Sequence, residues 1–173
     1  MKKQKELKDL NLLDRFLFAE TVEDPDVLTD ILEIILGRDI VLKHLPQTEK
    51  EERTKLWSKQ IRLDVWAMDE DESIYETEVQ RRNTGNLPKR TRLYHGIIDS
   101  KLLPPGEIDY NKLPDVFIIM ILPFDLFGKG LYRYTFRQMC QEAPELPLND
   151  GAVRIFLNTR GQKNDGVGQE LID

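Results

Sequence analysis

Asp64 and Glu78 are the two residues whose type and spacing best suit them to act together. They lie in IRLDVWAMDEDESIYETEVQ, residues 61–80, which reads as two strands joined by an acidic turn. Ile61, Leu63 and Val65 alternate with Arg62, Asp64 and Trp66, and alternation resumes from Ile74 to Gln80 after the cluster Asp69 to Glu72. A lone carboxylate between apolar neighbours, as at Asp64, is costly unless something positive meets it. On the return strand Glu76, Glu78 and Gln80 share one face by the two-residue period. The loop decides whether Asp64 joins them. An odd loop, of three residues (Glu70 to Glu72) or five, sets Asp64 opposite Glu78 with the side chains ~5 Å apart, whereas an even loop parts them. The odd loop is expected, because two stranded carboxylates facing each other make sense as a cradle for a divalent metal.

The elements that must position this hairpin have their own signals. Residues 8–19 read as a helix with Leu10, Leu13, Phe16 and Leu17 on one face and Asp14 and Arg15 on the other. A second helix has Asp24 as N-cap, Pro25 in its first turn and Gly37 at its end. Its interior, VLTDILEIIL, is apolar over much of its circumference and should pack on a sheet. Ile40 to Leu45 is a candidate first strand, and residues 46–59 are charged enough to be a loop or frayed helix. Gly85 and Asn86 break the pattern after the hairpin, and Pro88 opens a helix to about Ser100. Leu87, Tyr94, Ile97 and Ile98 form its apolar face, with Arg90 and Arg92 at or beyond the edge. Val116 to Leu122, between Pro114 and Pro123, reads as a strand buried on both faces. Leu131 to Met139 alternates, with Tyr132, Tyr134 and Phe136 on one side. Val153 to Thr159 is a further strand after the turn Asn149-Asp150-Gly151. Helices, hairpin, helix and strand in that order predict an α/β fold, a mixed sheet with helices packed on it.

Asp64, the hairpin, and then Glu78-Val79-Gln80 together resemble the D…(D/E)xK signature of the PD-(D/E)XK nuclease superfamily. The similarity is greatest to its transposase-like branch, the recombination-promoting nucleases, whose strands read much like RLDVWA and YETEVQ. It extends to DRFLF, ILEIILGRDI, KRTRLYH and the apolar strand before FDLFG, and so covers most of the chain. The resemblance implies a restriction-endonuclease-like fold and a metal-dependent DNA endonuclease that hydrolyses phosphodiester bonds. It implies Asp64, Glu78 and the backbone carbonyl of Val79 as metal ligands, with Mg2+ as the cofactor and Mn2+ or Ca2+ as alternates. Mg2+ takes hard oxygen ligands and keeps several waters, so one or two carboxylates suffice. An upstream helix often adds an acidic ligand in this superfamily; Asp14 ranks first here, ahead of Glu20 and Glu33. The chain departs from the signature at Gln80, where the family has Lys. An amide can orient a water but brings no positive charge, so weak activity or heavier reliance on the metal is expected. The competing expectation is a nuclease fold that has lost catalysis and serves as a DNA-binding or protein-interaction module.

Charge bears on the partner. The net charge is −6, which argues mildly against a non-specific DNA binder. Locally the balance reverses. From Val79 to Ile98 there is no acidic residue, while Arg81, Arg82, Lys89, Arg90 and Arg92 are positive. These five, with Tyr94 to stack or hydrogen-bond, are the candidate DNA contacts. His44 and His95 lack metal-ligand spacing, and the single cysteine, Cys140, read as buried and inert, allows no internal disulfide. No apolar run is long enough to span a bilayer, and MKKQKELKDL has no apolar centre of a signal peptide, so a cytoplasmic protein without membrane contact is expected. At 173 residues the chain fits one domain, expected over 1–160 with a flexible tail at 161–173. Cutting both strands would take two active sites or two nicks, which makes a homodimer a natural arrangement.

Overall fold

A computed structural model describes Phe18 and residues 20–52, 61–163 and 167–168, with backbone alone at 49–52 and 61–63. Most of the first expected helix, Asp14 included, lies outside these described residues.

The apolar run VFIIMIL becomes the centre of the molecule. It forms β4 (Val116–Leu122), and all but one of its residues are buried. Its β-branched and long side chains fill both sides of the sheet, each such burial stabilising the fold by roughly 1.5–3 kcal/mol. Around it stand β1 (Gln47–Glu52), β2 (Ile61–Met68), β3 (Ile74–Val79), β5 (Arg133–Phe136) and β6 (Ala152–Asn158). The sheet order is β1-β2-β3-β4-β6-β5. β3, β4 and β6 run parallel; β1 and β2 on one side and β5 on the other pair antiparallel, so the sheet is mixed as expected.

One helix covers each face. α1 (Pro25–Leu36) is punctuated as its sequence requires: Asp24 Oδ1 accepts the Asp26 N–H at 3.0 Å, and Gly37 closes the far end at φ 68°. Its Leu28, Leu32 and Ile35 pack on Val65, Ala67, Tyr75, Phe117, Ile119 and Ile155. α2 (Leu87–Leu102) connects β3 to β4 across the opposite face. There Tyr94, Ile97 and Ile98 pack on Ile74, Val116 and Ile118, and Leu87 joins Met120, Leu122, Tyr134 and Phe156.

Three expectations are corrected. Ile40 to Leu45 is not a strand and keeps only an isolated bridge between Leu42 and Asp69. The strand lies later, at β1, where QTEKEE has no apolar alternation to announce it; pairing with the open side of β2 makes it extended. The strand expected over Leu131 to Met139 is only β5. Between the pair Phe136↔Arg154 and the bridge Met139↔Pro147 the register slips, and the ladder breaks. Cys140 is half-buried rather than buried, its thiol directed at Glu142 Oε2, 3.4 Å away. At the start of the expected tail, the Gln162 and Lys163 N–H groups both donate to the Gly130 carbonyl, at 2.8 and 3.0 Å.

Candidate active site

Met68 pairs with Ile74, so the connection between β2 and β3 is residues 69–73, an odd loop. Its buried carboxylate organises it: Asp69 Oδ1 accepts the Ser73 N–H at 2.8 Å and Oδ2 accepts the Tyr75 hydroxyl. Glu72 takes the left-handed conformation at φ 66° that the turn needs. Above the loop the ladder sets Trp66 opposite Glu76 and Val65 opposite Thr77. Continued one step past its last pair, Val65 with Thr77, the same register would bring Asp64 across from Glu78. The two-residue period then sorts the hairpin. Val65, Ala67, Tyr75 and Val79 face α1, while Asp64, Trp66, Glu76 and Glu78 lie on the side of α2.

Asp64, Glu76 and Glu78 retain only 3%, 0% and 7% of their exposure. Burying carboxyls beside one another is favourable only when positive charge or hydrogen bonds come to them. The Asp64 N–H donates to Glu76 Oε1 at 3.3 Å. From α2, one terminal nitrogen of Arg90 donates to both Glu78 Oε1 and Gln80 Oε1, each at 2.8 Å. The Gln80 amide is held at its other end too, its Nε2 donating to the Arg82 carbonyl at 2.8 Å. Tyr94, one helical turn beyond Arg90, packs under the guanidinium, whose carbon stands 5.9 Å from the ring centre. Burial first, and then the negative charge of Glu78, push the Tyr94 hydroxyl well above the ordinary phenol range, so it stays protonated beside that carboxylate.

A carboxylate pair on a hairpin, with Glu-Val-Gln on the return strand and a cation delivered from the next helix, is the arrangement the signature anticipates. Residues 13–162 match the family model of the PD-(D/E)XK nuclease family transposase. The chain belongs to the PD-(D/E)XK nuclease family. No curated protein matches it. Membership makes this a nuclease-type protein with the restriction-endonuclease-like α/β fold, of a family that typically acts on DNA with divalent metals.

Asp64 and Glu78 share a buried face, and the Val79 side chain sits in the core on the α1 side, leaving only its backbone to serve the site. At Gln80, where the signature has Lys, the side-chain oxygen accepts a hydrogen bond from Arg90 at 2.8 Å. Arg81, Arg82, Lys89 and Arg92 are exposed. Arg90 and Tyr94, also named as DNA contacts, are turned toward β3 by their helical spacing, Arg90 onto Glu78 and Gln80 and Tyr94 beneath its guanidinium. Asp14 lies outside the described residues. Glu33 is spent elsewhere, its Oε1 accepting the Ile40 N–H at 2.9 Å on the α1 side, and Glu20 is exposed. His95 is a core residue: its Nε2 lies 3.1 Å from the Val153 carbonyl, and burial pulls its pKa down to about 4.

Glu76 is the residue that sequence reasoning undervalued. Its face was legible from the alternation, but not its complete burial or its bond to the Asp64 backbone. No trio of His, Cys, Asp or Glu among the described residues forms a ready-made metal cage. The donor chemistry nevertheless fits Mg2+, since carboxylate oxygens from two strands are hard ligands and the ion fills its remaining positions with water. No helix among the described residues is long and apolar enough to cross a membrane.

Proposed function

We propose that this protein is a divalent-metal-dependent DNA endonuclease. The observation that carries the reading is the burial of Asp64 and Glu78 on one face of the β2–β3 hairpin, with Arg90 bonded to Glu78 and Gln80. Asp64, Glu78 and the Val79 carbonyl would hold Mg2+, Mn2+ or Ca2+, with Asp14 as the candidate for a further oxygen. When bound, the metal supplies acidification of a water and neutralisation of phosphate charge. The chain's own groups do the rest. Glu76 fixes the backbone at Asp64, and Arg90 orients Glu78 while presenting a positive charge at the Gln80 position. Gln80 orients water by hydrogen bonding, its amide steadied by Arg90 and by the Arg82 carbonyl. Arg81, Arg82, Lys89 and Arg92 meet phosphates, which positions the strand without selecting a base. A cytoplasmic protein, paired as a homodimer where both strands are cut, completes the reading.

Supercoiled plasmid incubated with Mg2+ or Mn2+ tests it. Nicking should require the metal and fall at least a hundredfold in Asp64→Ala and Glu78→Ala, with Asp64→Asn and Glu78→Gln as shape-preserving partners. Cutting by all four at the parental rate removes the assignment. One observation favours the second reading, a DNA-binding or protein-interaction module without turnover: the Gln80 amide is engaged at both ends. Metal-independent DNA binding with no nicking would select it.

A further inference from the structure

The row of the sheet that carries Glu76 continues away from the hairpin. Glu76 pairs with Ile118, Ile118 with Arg154, and Arg154 with Phe136. Two strand spacings, ~10 Å, therefore separate Glu76 from Arg154 on the same face. At that end of the row lies a pocket of about 190 Å³ lined by Pro88, Arg92, Phe127, Phe136, Arg154 and Phe156. Its aromatic walls are built, not incidental. Phe127 stands 4.9 Å from Phe136 and 5.3 Å from Phe156, and Phe136 meets Phe156 edge-on at 5.8 Å. Yet Phe136 keeps 42% of its exposure. Arg154 Nε is buried and meets no hydrogen-bond acceptor among the described residues, and Arg92 is exposed at the rim.

The pocket is smaller than a site for a whole drug-sized molecule and has room for one flat ring system. Flat apolar walls with the exposed Arg92 guanidinium at the rim suit a ring that is attached to an anionic chain. We propose that this pocket receives one unstacked base of a nucleic-acid strand, whose phosphates cross the first turn of α2 over Lys89 and Arg92 on the way to the carboxylates. A base inside an intact duplex has both faces covered and cannot enter. The substrate is therefore single-stranded or locally opened at the cut. This rests on the nuclease reading of the carboxylate site and adds to it the state of the strand.

Binding is measured with metal chelated, so that no cutting intervenes, using a fluorescein-labelled 12-nucleotide single strand and its duplex. The parent should prefer the single strand. Phe136→Ala should weaken single-strand binding ~10-fold, the scale of one base–aromatic stack, with duplex binding changed less than twofold. Phe136→Trp should retain it. A 2-aminopurine placed along the strand should be quenched by the parent and not by Phe136→Ala. Arg92→Gln, at an exposed position, should weaken the single strand without disturbing the fold. Equal affinity for strand and duplex, or parental binding by both Phe136→Ala and Arg92→Gln, overturns the proposal. So does competition by free dAMP at the concentration of the oligonucleotide, which would mark a mononucleotide site, or by a tryptophan-bearing peptide alone. Metal-dependent cutting that survives alongside such a result sinks the pocket and spares the nuclease reading. Single-strand preference lost in Phe136→Ala by a protein that never cuts does the reverse.

Discussion

Arg90 contacts the acidic residue of the signature and the residue that replaces its lysine, with one nitrogen 2.8 Å from each. Its removal should therefore act on stability and on activity together. Arg90→Gln removes this cation from Glu78, a change that costs on the order of 3–5 kcal/mol in a fully buried pair and less here, where Arg90 keeps 24% of its exposure. Urea unfolding should register that loss, and plasmid nicking should fall more than tenfold. Gln80→Lys offers the complementary test. Restoring the family residue alone sets an ammonium against Arg90, and like charges at hydrogen-bonding distance repel. Nicking by Gln80→Lys should consequently not exceed the parental rate, whereas Gln80→Lys combined with Arg90→Gln should exceed Arg90→Gln alone. A double-mutant cycle in nicking rate with no coupling between the two positions would show that Arg90 does not stand in for the lysine.

At the level of elements, α2 is the piece on which both the fold and the site depend. It reaches over β4, turning Arg90 and Tyr94 toward β3 and His95 toward β6. His95 makes this docking sensitive to acid. Its folded pKa, about 4, lies below the ordinary value near 6.5, so the unfolded chain takes up the proton first. The stability it contributes is complete above about pH 6.5 and is lost as pH falls toward 4. Thermal unfolding followed across that window should show a falling midpoint, and His95→Gln should flatten the fall. NMR titration should find the imidazole neutral at pH 5.

Much of this was legible in advance, and what was not has a common cause. The caps of α1 and the doubly buried β4 are written in local patterns: Asp-Pro before a helix, Gly after it, prolines around a branched apolar run. The odd loop of the hairpin was expected from the chemistry of its facing carboxylates and not from a turn signal. β1 could not be read, because QTEKEE is extended only through its pairing with β2. The inward turn of Arg90 and the burial of Glu76 depend on where α2 lands across the sheet. That distance is set by packing between residues far apart in the chain.

Over the molecule as a whole, an acidic chain presents a basic strip. The net charge is −6, while Arg81, Arg82, Lys89 and Arg92 are exposed close to the carboxylates. DNA affinity should then depend steeply on salt, with a logarithmic slope of roughly −3 to −4 if all four meet phosphates. Lys89→Gln should reduce that slope by about one. A slope unchanged by that substitution would take Lys89 out of the contact.

The two borders of the sheet carry a consequence for assembly. One border is QTEKEE, with charges of both signs, and the other is the four-residue RYTF, which stops where the register slips. Neither offers a long, uncharged row of open amides and carbonyls, which is how proteins discourage strand-to-strand annealing. Two copies brought together over opposite DNA strands are thereby discouraged from joining through either of these edges of the described sheet.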